Sequence, residues 1–254
     1  MISNNKKKQI QQLSVKKQRD VQGKFIAEGV KLVGDLLRGG LKPVYIAGCA
    51  DVLRDIDAKR YCREVDECDE TQMKSITMLK TPSPLLAIFE KPQMSDISVR
   101  PDGLVLILDE VQDPGNLGTI IRVADWFGIR QIVCSKTCAD AFNPKVIQAT
   151  MGAIARVAVV ETDLECYLAK NASEWHIPVY GTFLEGNDIY TATLSDNAFI
   201  VMGNEGKGIS EKLKRFVTDK LFIPNYPAGE TTSESLNVAT ATAIVVNEFR
   251  RPRQ

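Results

Sequence analysis

Between residues 104 and 249, short apolar runs of strand length alternate with stretches of helical period, and this alternation constrains the fold more than any other feature. Strands are expected over 104–108, 131–134, 156–160, 178–181, 198–202 and 220–223. Helices are expected over 117–127, 144–154, 163–175, 210–216 and 236–249. Largely uninterrupted apolar strands separated by helices predict a parallel sheet covered on both faces. Ligands of such sheets bind in the crevice at the carboxyl ends of the strands.

The first 94 residues read differently. A helix is expected over 24–38, with Phe25, Val30, Leu32, Val33, Leu36 and Leu37 apolar and Gly39-Gly40 closing it. A strand over 44–47, a helix over 71–79 and a strand over 85–89 follow. Residues 90–102 hold Pro92 and Pro101 among polar neighbours and read as a linker. The expected division is a small α/β domain over 1–95, a linker over 96–103 and a second domain over 104–254. The first shows no catalytic constellation and suits a binding module.

Charge gives the chain no global pull on nucleic acid, since 32 basic residues balance 32 acidic ones. The distribution is uneven. Lys6, Lys7, Lys8, Lys16, Lys17, Arg19 and Lys24 face the single acid Asp20 in the first 24 residues. Arg250, Arg251 and Arg253 crowd the C-terminal tip beside Glu248. Both ends are candidates for phosphate contact. No apolar run approaches the ~18 residues of a spanning helix. The N-terminus has no apolar core of a secretory signal, so a cytoplasmic protein is expected. Six cysteines, none in a C-x-x-C pair, suit a reducing compartment, and the lone His176 has no partner at ligand spacing. No metal site is expected, and His176 reads as a helix-to-strand junction.

Three loops at strand ends stand out. The first is 109–118, in which Pro114-Gly115 forces a turn and Asn116 is the expected N-cap. On the following helix Ile120, Ile121, Ala124 and Phe127 form the expected buried stripe, leaving Gly118, Arg122 and Asp125 on the opposite face. Arg122 then leans toward the helix start, where free N–H groups favour an anion. A plain Arg122–Asp125 surface pair is the alternative. The second loop, 202–210, carries Gly203, Gly206 and Gly208, which imply close backbone approach to a ligand or another segment. It is no P-loop, and Glu205 would repel a phosphate. The third runs from Ile223-Pro224-Asn225 through Ser233-Glu234-Ser235-Leu236-Asn237. Thr231 and Glu234 have capping-box spacing there, and small residues through Ala243 imply a close-packed helix.

Taken together, Asp113-Pro-Gly-Asn-Leu-Gly with Arg122, Met202-Gly-Asn-Glu-Gly-x-Gly-Ile, and Ile223-Pro followed by Ser235-Leu-Asn-Val resemble the three signature motifs of the SpoU (TrmH) RNA ribose 2′-O-methyltransferases of the SPOUT superfamily. The resemblance covers roughly 104–250. Residues 1–95, through Glu28-Gly29-Val30-Lys31-Leu32-Val33, resemble that family's N-terminal RNA-binding domain. What it implies is a parallel-sheet α/β domain with a C-terminal trefoil knot, an exception to the rule against threaded loops. It further implies a homodimer, S-adenosylmethionine as cofactor, and RNA as substrate, with ribosomal RNA favoured over transfer RNA. A non-catalytic RNA-binding relative is the alternative, though such a relative usually lacks Arg122 or Asn116. Carried over by position, Asn116, Arg122, Glu205, Ser235 and Asn237 form the catalytic set, and Gly203, Ile223, Leu236, Thr182 and Phe183 the cofactor set. The 225–234 stretch is longer than the family commonly shows.

Overall fold

The strands gather into two sheets, one in each of two units. A computed structural model describes residues 2–93, 97, 101–227 and 233–252. One unit comprises Met1–Gln93 with Asp140–Arg156, the other Met94–Ala139 with Val157–Gln254. Half of the expected 96–103 linker and part of the 225–234 loop, Thr231 included, lie outside the described residues, as does Arg253.

In the first unit the helices are α1 (Asn4–Gln12), α2 (Lys16–Gln22), α3 (Val30–Arg38), α4 (Ala50–Asp55), α5 (Ala58–Tyr61) and α6 (Glu70–Ile76). Its strands β1 (Lys24–Glu28), β2 (Pro43–Gly48), β3 (Val65–Glu67) and β4 (Leu85–Glu90) pair in the order β1-β4-β2-β3. The expected single helix over 24–38 is corrected here. Residues 24–28 pair antiparallel with β4, and Gly29, at φ 112°, turns the chain into α3. Cross-strand pairing of Phe25 and Ile26 with Phe89 and Ile88 outweighs local helical period. Glu28 is buried at the end of β1 and accepts hydrogen bonds from Thr77 Oγ1 (2.5 Å) and Met78 N (2.6 Å). Burial pushes its carboxyl pKa up, against the pull of those two donors.

The segment between the second and third strands of the later sequence also belongs to this unit. It forms α8 (Pro144–Thr150) and a 3₁₀ turn at Ala153–Ala155, shorter than the helix expected over 144–154 because Met151 and Gly152 both adopt positive φ. Phe142 packs on Phe25 at 5.2 Å between ring centroids. Arg19, counted above in a basic run, is 1% exposed. Its guanidinium donates to Asp140 Oδ2 (3.0 and 2.5 Å) and to the carbonyls of Leu13 and Ser14 (2.8 Å each). Lys6 is paired with Glu64 and Lys16 with Asp20. Arg19 is therefore structural, and the N-terminal run is less free for phosphate than its composition implies.

The second unit holds β5 (Leu104–Leu108), α7 (Pro114–Trp126), β6 (Gln131–Ser135), β7 (Ala158–Thr162), α9 (Leu164–Trp175), β8 (Val179–Phe183), β9 (Asn187–Asp188), β10 (Ala198–Met202), α10 (Glu211–Lys214), β11 (Asp219–Phe222) and α11 (Val238–Arg250). All pairs in its sheet are parallel, in the order β7-β6-β5-β10-β8-β11-β9. Val105, Ile107, Val133, Phe199 and Val201 pack with Leu164, Leu168 and Leu213, so α9 and α10 cover one face. Tyr180 alternates with Val179 onto the other face, where Phe249 of α11 meets it edge-on at 5.0 Å. His176, in a left-handed conformation, caps α9 before β8, the junction expected of it. Among the described residues no helix is long and apolar enough to cross a membrane.

Candidate active site

The strand order fixes where the three loops emerge. β5 and β10 are neighbours in register, Leu108 opposite Met202, so the first and second loops leave the sheet side by side. Asp109 N donates to Met202 O (2.9 Å), extending that pairing by one residue. The end of β11 lies beside the end of β8, Phe222 opposite Phe183. Ile223 thus starts next to Thr182 and Phe183.

Local chemistry sets the first loop. Asp113, not Asn116, is the N-cap of α7: its side chain accepts from Asn116 N at 2.8 Å and Pro114 fills the first turn. With Asp113 as the cap, the Asn116 side chain is left to bond elsewhere. Its Nδ2 donates to Glu205, and its Oδ1 accepts from Asn237 Nδ2 at 2.9 Å. Asn237 in turn caps α11, its Oδ1 accepting from Ala239 N (3.0 Å) and Thr240 N (3.3 Å). One chain of hydrogen bonds, Glu205–Asn116–Asn237, therefore joins all three loops.

The second loop is closed on itself. Asn204 and Gly208 exchange backbone hydrogen bonds (3.0 and 2.8 Å), and Asn204 Oδ1 accepts from Gly206 N and Lys207 N (3.0 and 3.1 Å). Asn204 Nδ2 donates to Glu110 O (2.9 Å), and the buried Asp109 accepts from Ser210 N (2.8 Å). A Cβ on Gly203 would stand 2.3 Å from Gly208 C and 2.4 Å from Ile209 N. What crowds this position is the loop's own return five residues on, neither a ligand nor a distant segment. Asn204 and Asp109 act as struts, and nothing in their spacing announced it.

Arg122 is exposed and makes no hydrogen bond or ion pair among the described residues, Asp125 included. Gly118, expected on the same open face, is buried, and Phe127 is a half-buried cap residue rather than part of the core stripe. Beneath the first loop the thiol of Cys138 lies 3.2 Å from Leu108 O and 3.4 Å from Ser135 Oγ. Hydrogen bonding to Cys134 holds its pKa down to about 7 despite burial, and pushes that of Cys134 up.

Thr182, Phe183, Gly203, Ile223 and Leu236 all line one cleft of about 1010 Å³, with Glu205 and Ser235 also on its wall. Asn116, Arg122 and Asn237 are not among its lining residues. The charged lining residues balance, Lys207, Lys214 and Lys220 against Glu185, Glu205 and Glu234. Apolar walls with balanced charge suit a nucleoside bearing both amine and carboxylate better than a polyphosphate. Among the described residues no group of His, Cys, Asp or Glu is arranged to hold a metal.

Residues 103–247 match the family model described as SpoU rRNA Methylase family, and residues 4–87 match an MRM3-like substrate binding domain. The chain belongs to the SpoU rRNA methylase family. It is 33% identical to the 23S rRNA (guanosine(2553)-2′-O)-methyltransferase RlmP of Bacillus subtilis, over 97% of this chain and 96% of that one. A Porphyromonas gingivalis structure assigned to the TrmH family of RNA methyltransferases superposes with a TM-score of 0.89 at 42% identity, covering 99% of each chain. An AdoMet-bound rRNA methyltransferase from Sinorhizobium meliloti superposes with a TM-score of 0.85 at 32% identity, covering 99% of this chain and 96% of that one. Each of these three matches runs over both units of this chain.

Proposed function

We propose that this SpoU protein methylates a ribose 2′-hydroxyl of ribosomal RNA with S-adenosylmethionine. The observation that carries the reading is the Glu205–Asn116–Asn237 chain, which ties the first loop to the second and third loops that line one cleft. Bound there, S-adenosylmethionine supplies an electrophilic methyl on its sulfonium. Thr182, Phe183, Gly203, Ile223 and Leu236 bind it, backbone groups and apolar walls setting its orientation. Ser235 and Asn237 position the attacking hydroxyl, because in-line transfer needs the nucleophile held at the methyl. Arg122, which is effectively always protonated, serves as a clamp on the substrate phosphate or nascent alkoxide rather than as a base. An RNA phosphate or water takes the proton. Glu205 orients Asn116, and through it the third loop.

Residues 1–95 are read as the RNA-binding domain and 104–254 as the methyltransferase domain, with the S-adenosylmethionine site in a C-terminal knot. The protein is taken to work as a cytoplasmic homodimer. Mapping 2′-O-methyl groups in total RNA from cells with and without the gene tests the reading. Loss of one ribosomal site is expected. Loss confined to transfer RNA would reassign the substrate, and no loss at all would remove the assigned activity.

A further inference from the structure

The first unit carries a groove that its own packing does not explain. The groove, about 480 Å³, lies between the end of α3, the start of β2 and α5. Leu41 and Val44 give it an apolar floor, and Lys42, Arg60, Tyr61 and Glu90 line it. Tyr61 is 41% exposed although its neighbours Ala58 and Cys62 are buried and hold the short α5 in place. An aromatic ring fixed by buried anchors yet open to solvent is a stacking surface. The Arg60 guanidinium sits 5.9 Å from the ring centroid.

The charges around it are held in no ion pair. Lys42 and Arg60 make no side-chain hydrogen bond or ion pair among the described residues, and neither does Glu90. An exposed ring with Arg60 over one face, an unpaired lysine and an unpaired carboxylate match the parts of a nucleotide. The ring offers a face for a base, the cations answer phosphates, and a carboxylate accepts from a base N–H.

We propose that this groove binds one unpaired nucleotide of the RNA substrate, the base stacked on Tyr61, Glu90 accepting from its edge, and Lys42 and Arg60 facing the flanking phosphates. The proposal rests on the RNA reading of the chain and adds where a single-stranded residue is gripped. Single-stranded RNA is the form whose bases are free to stack on an aromatic side chain.

The test uses the full-length chain, a fluorescein-labelled single-stranded oligoribonucleotide of mixed sequence, and total ribosomal RNA as competitor. Tyr61→Ala should weaken binding by about 10-fold or more, in line with the loss of one base–aromatic stack. Tyr61→Phe should bind within about twofold of wild type, because the ring is what is used. Lys42→Ala and Arg60→Ala should each lower the salt slope of log affinity by about one. S-adenosylmethionine affinity, measured by calorimetry, should be the same in all variants. Wild-type RNA affinity in Tyr61→Ala, or equal losses in the Ala and Phe variants, would overturn the groove assignment. A wild-type chain that binds no RNA would instead overturn the proposed function itself.

Discussion

Arg122 sits exposed on α7 with no side-chain partner among the described residues, more than two turns beyond the cap at Asp113. Arg122→Ala should therefore leave the melting temperature and cofactor affinity unchanged, while single-turnover methylation falls ~10²-fold, as when one preorganised charge-stabilising donor is removed. Arg122→Lys keeps the charge and loses the planar fork, so recovery close to wild type would mean that charge alone is needed. A normal single-turnover rate in Arg122→Ala would end its role as a clamp. Asn116 has the opposite character, because it donates to Glu205 and accepts from Asn237. Asn116→Ala cuts both links and should cost more turnover than Glu205→Gln, whose amide keeps an acceptor for Asn116. Equal losses would show that the chain does not act through Asn116. Gly203→Ala places its Cβ against the backbone of Gly208 and Ile209, so loop geometry and cofactor binding should fail together. A variant that binds cofactor normally would contradict the close approach. The motif residues were visible in the sequence. Their mutual hydrogen bonds were not, since the loops are about 90 and 120 residues apart and only the sheet brings them together.

Elements were read unevenly. The strands over 104–108 and 198–202 fall where expected because each is a run of five buried apolar residues. The strand expected over 156–160 starts two residues later, and the helix expected over 210–216 shrinks to Glu211–Lys214. The helix expected over 236–249 starts at Val238, because Asn237 rather than an upstream residue caps it. The first strand was missed entirely, its pairing partner lying some 60 residues away in the chain. Two predictions belong at this scale. Arg19 links α2 to the segment before α8, so Arg19→Ala strands Asp140 and should cost about 3–5 kcal/mol in denaturant melts. Lys17→Ala on the same helix should change stability by no more than about 0.5 kcal/mol. Glu28 supplies a pH signature. Its pKa is raised in the folded chain, so the folded state holds the proton above the unfolded pKa and its contribution to stability falls as pH rises through the folded value. Glu28→Gln should therefore gain on wild type as pH rises from about 4.5, and parallel stability curves would contradict the buried carboxylate.

At the scale of the whole molecule, the cut between units does not follow chain order. Asp140–Arg156 lies within the match to the methylase family yet packs with the N-terminal residues. Removing residues 1–93 strips Asp140 of Arg19 and Phe142 of Phe25, so the truncated chain should melt lower while still binding S-adenosylmethionine. RNA affinity should collapse, and in the intact chain it should fall steeply with salt where phosphate contacts dominate. A truncated chain that melts like the parent would argue against the shared packing. The sequence by itself determined the parallel sheet, the three motif loops and the residue types that carry the chemistry, because apolar period, glycine placement and capping are local signals. It did not determine that Asp113 rather than Asn116 caps α7, that Arg19 is buried, or that residues 140–156 join the first unit. The cap is a local choice, settled by the Asp113 bond to Asn116 N three residues on; the other two outcomes were decided by tertiary structure, for they depend on partners about 120 residues away that no window of the chain contains.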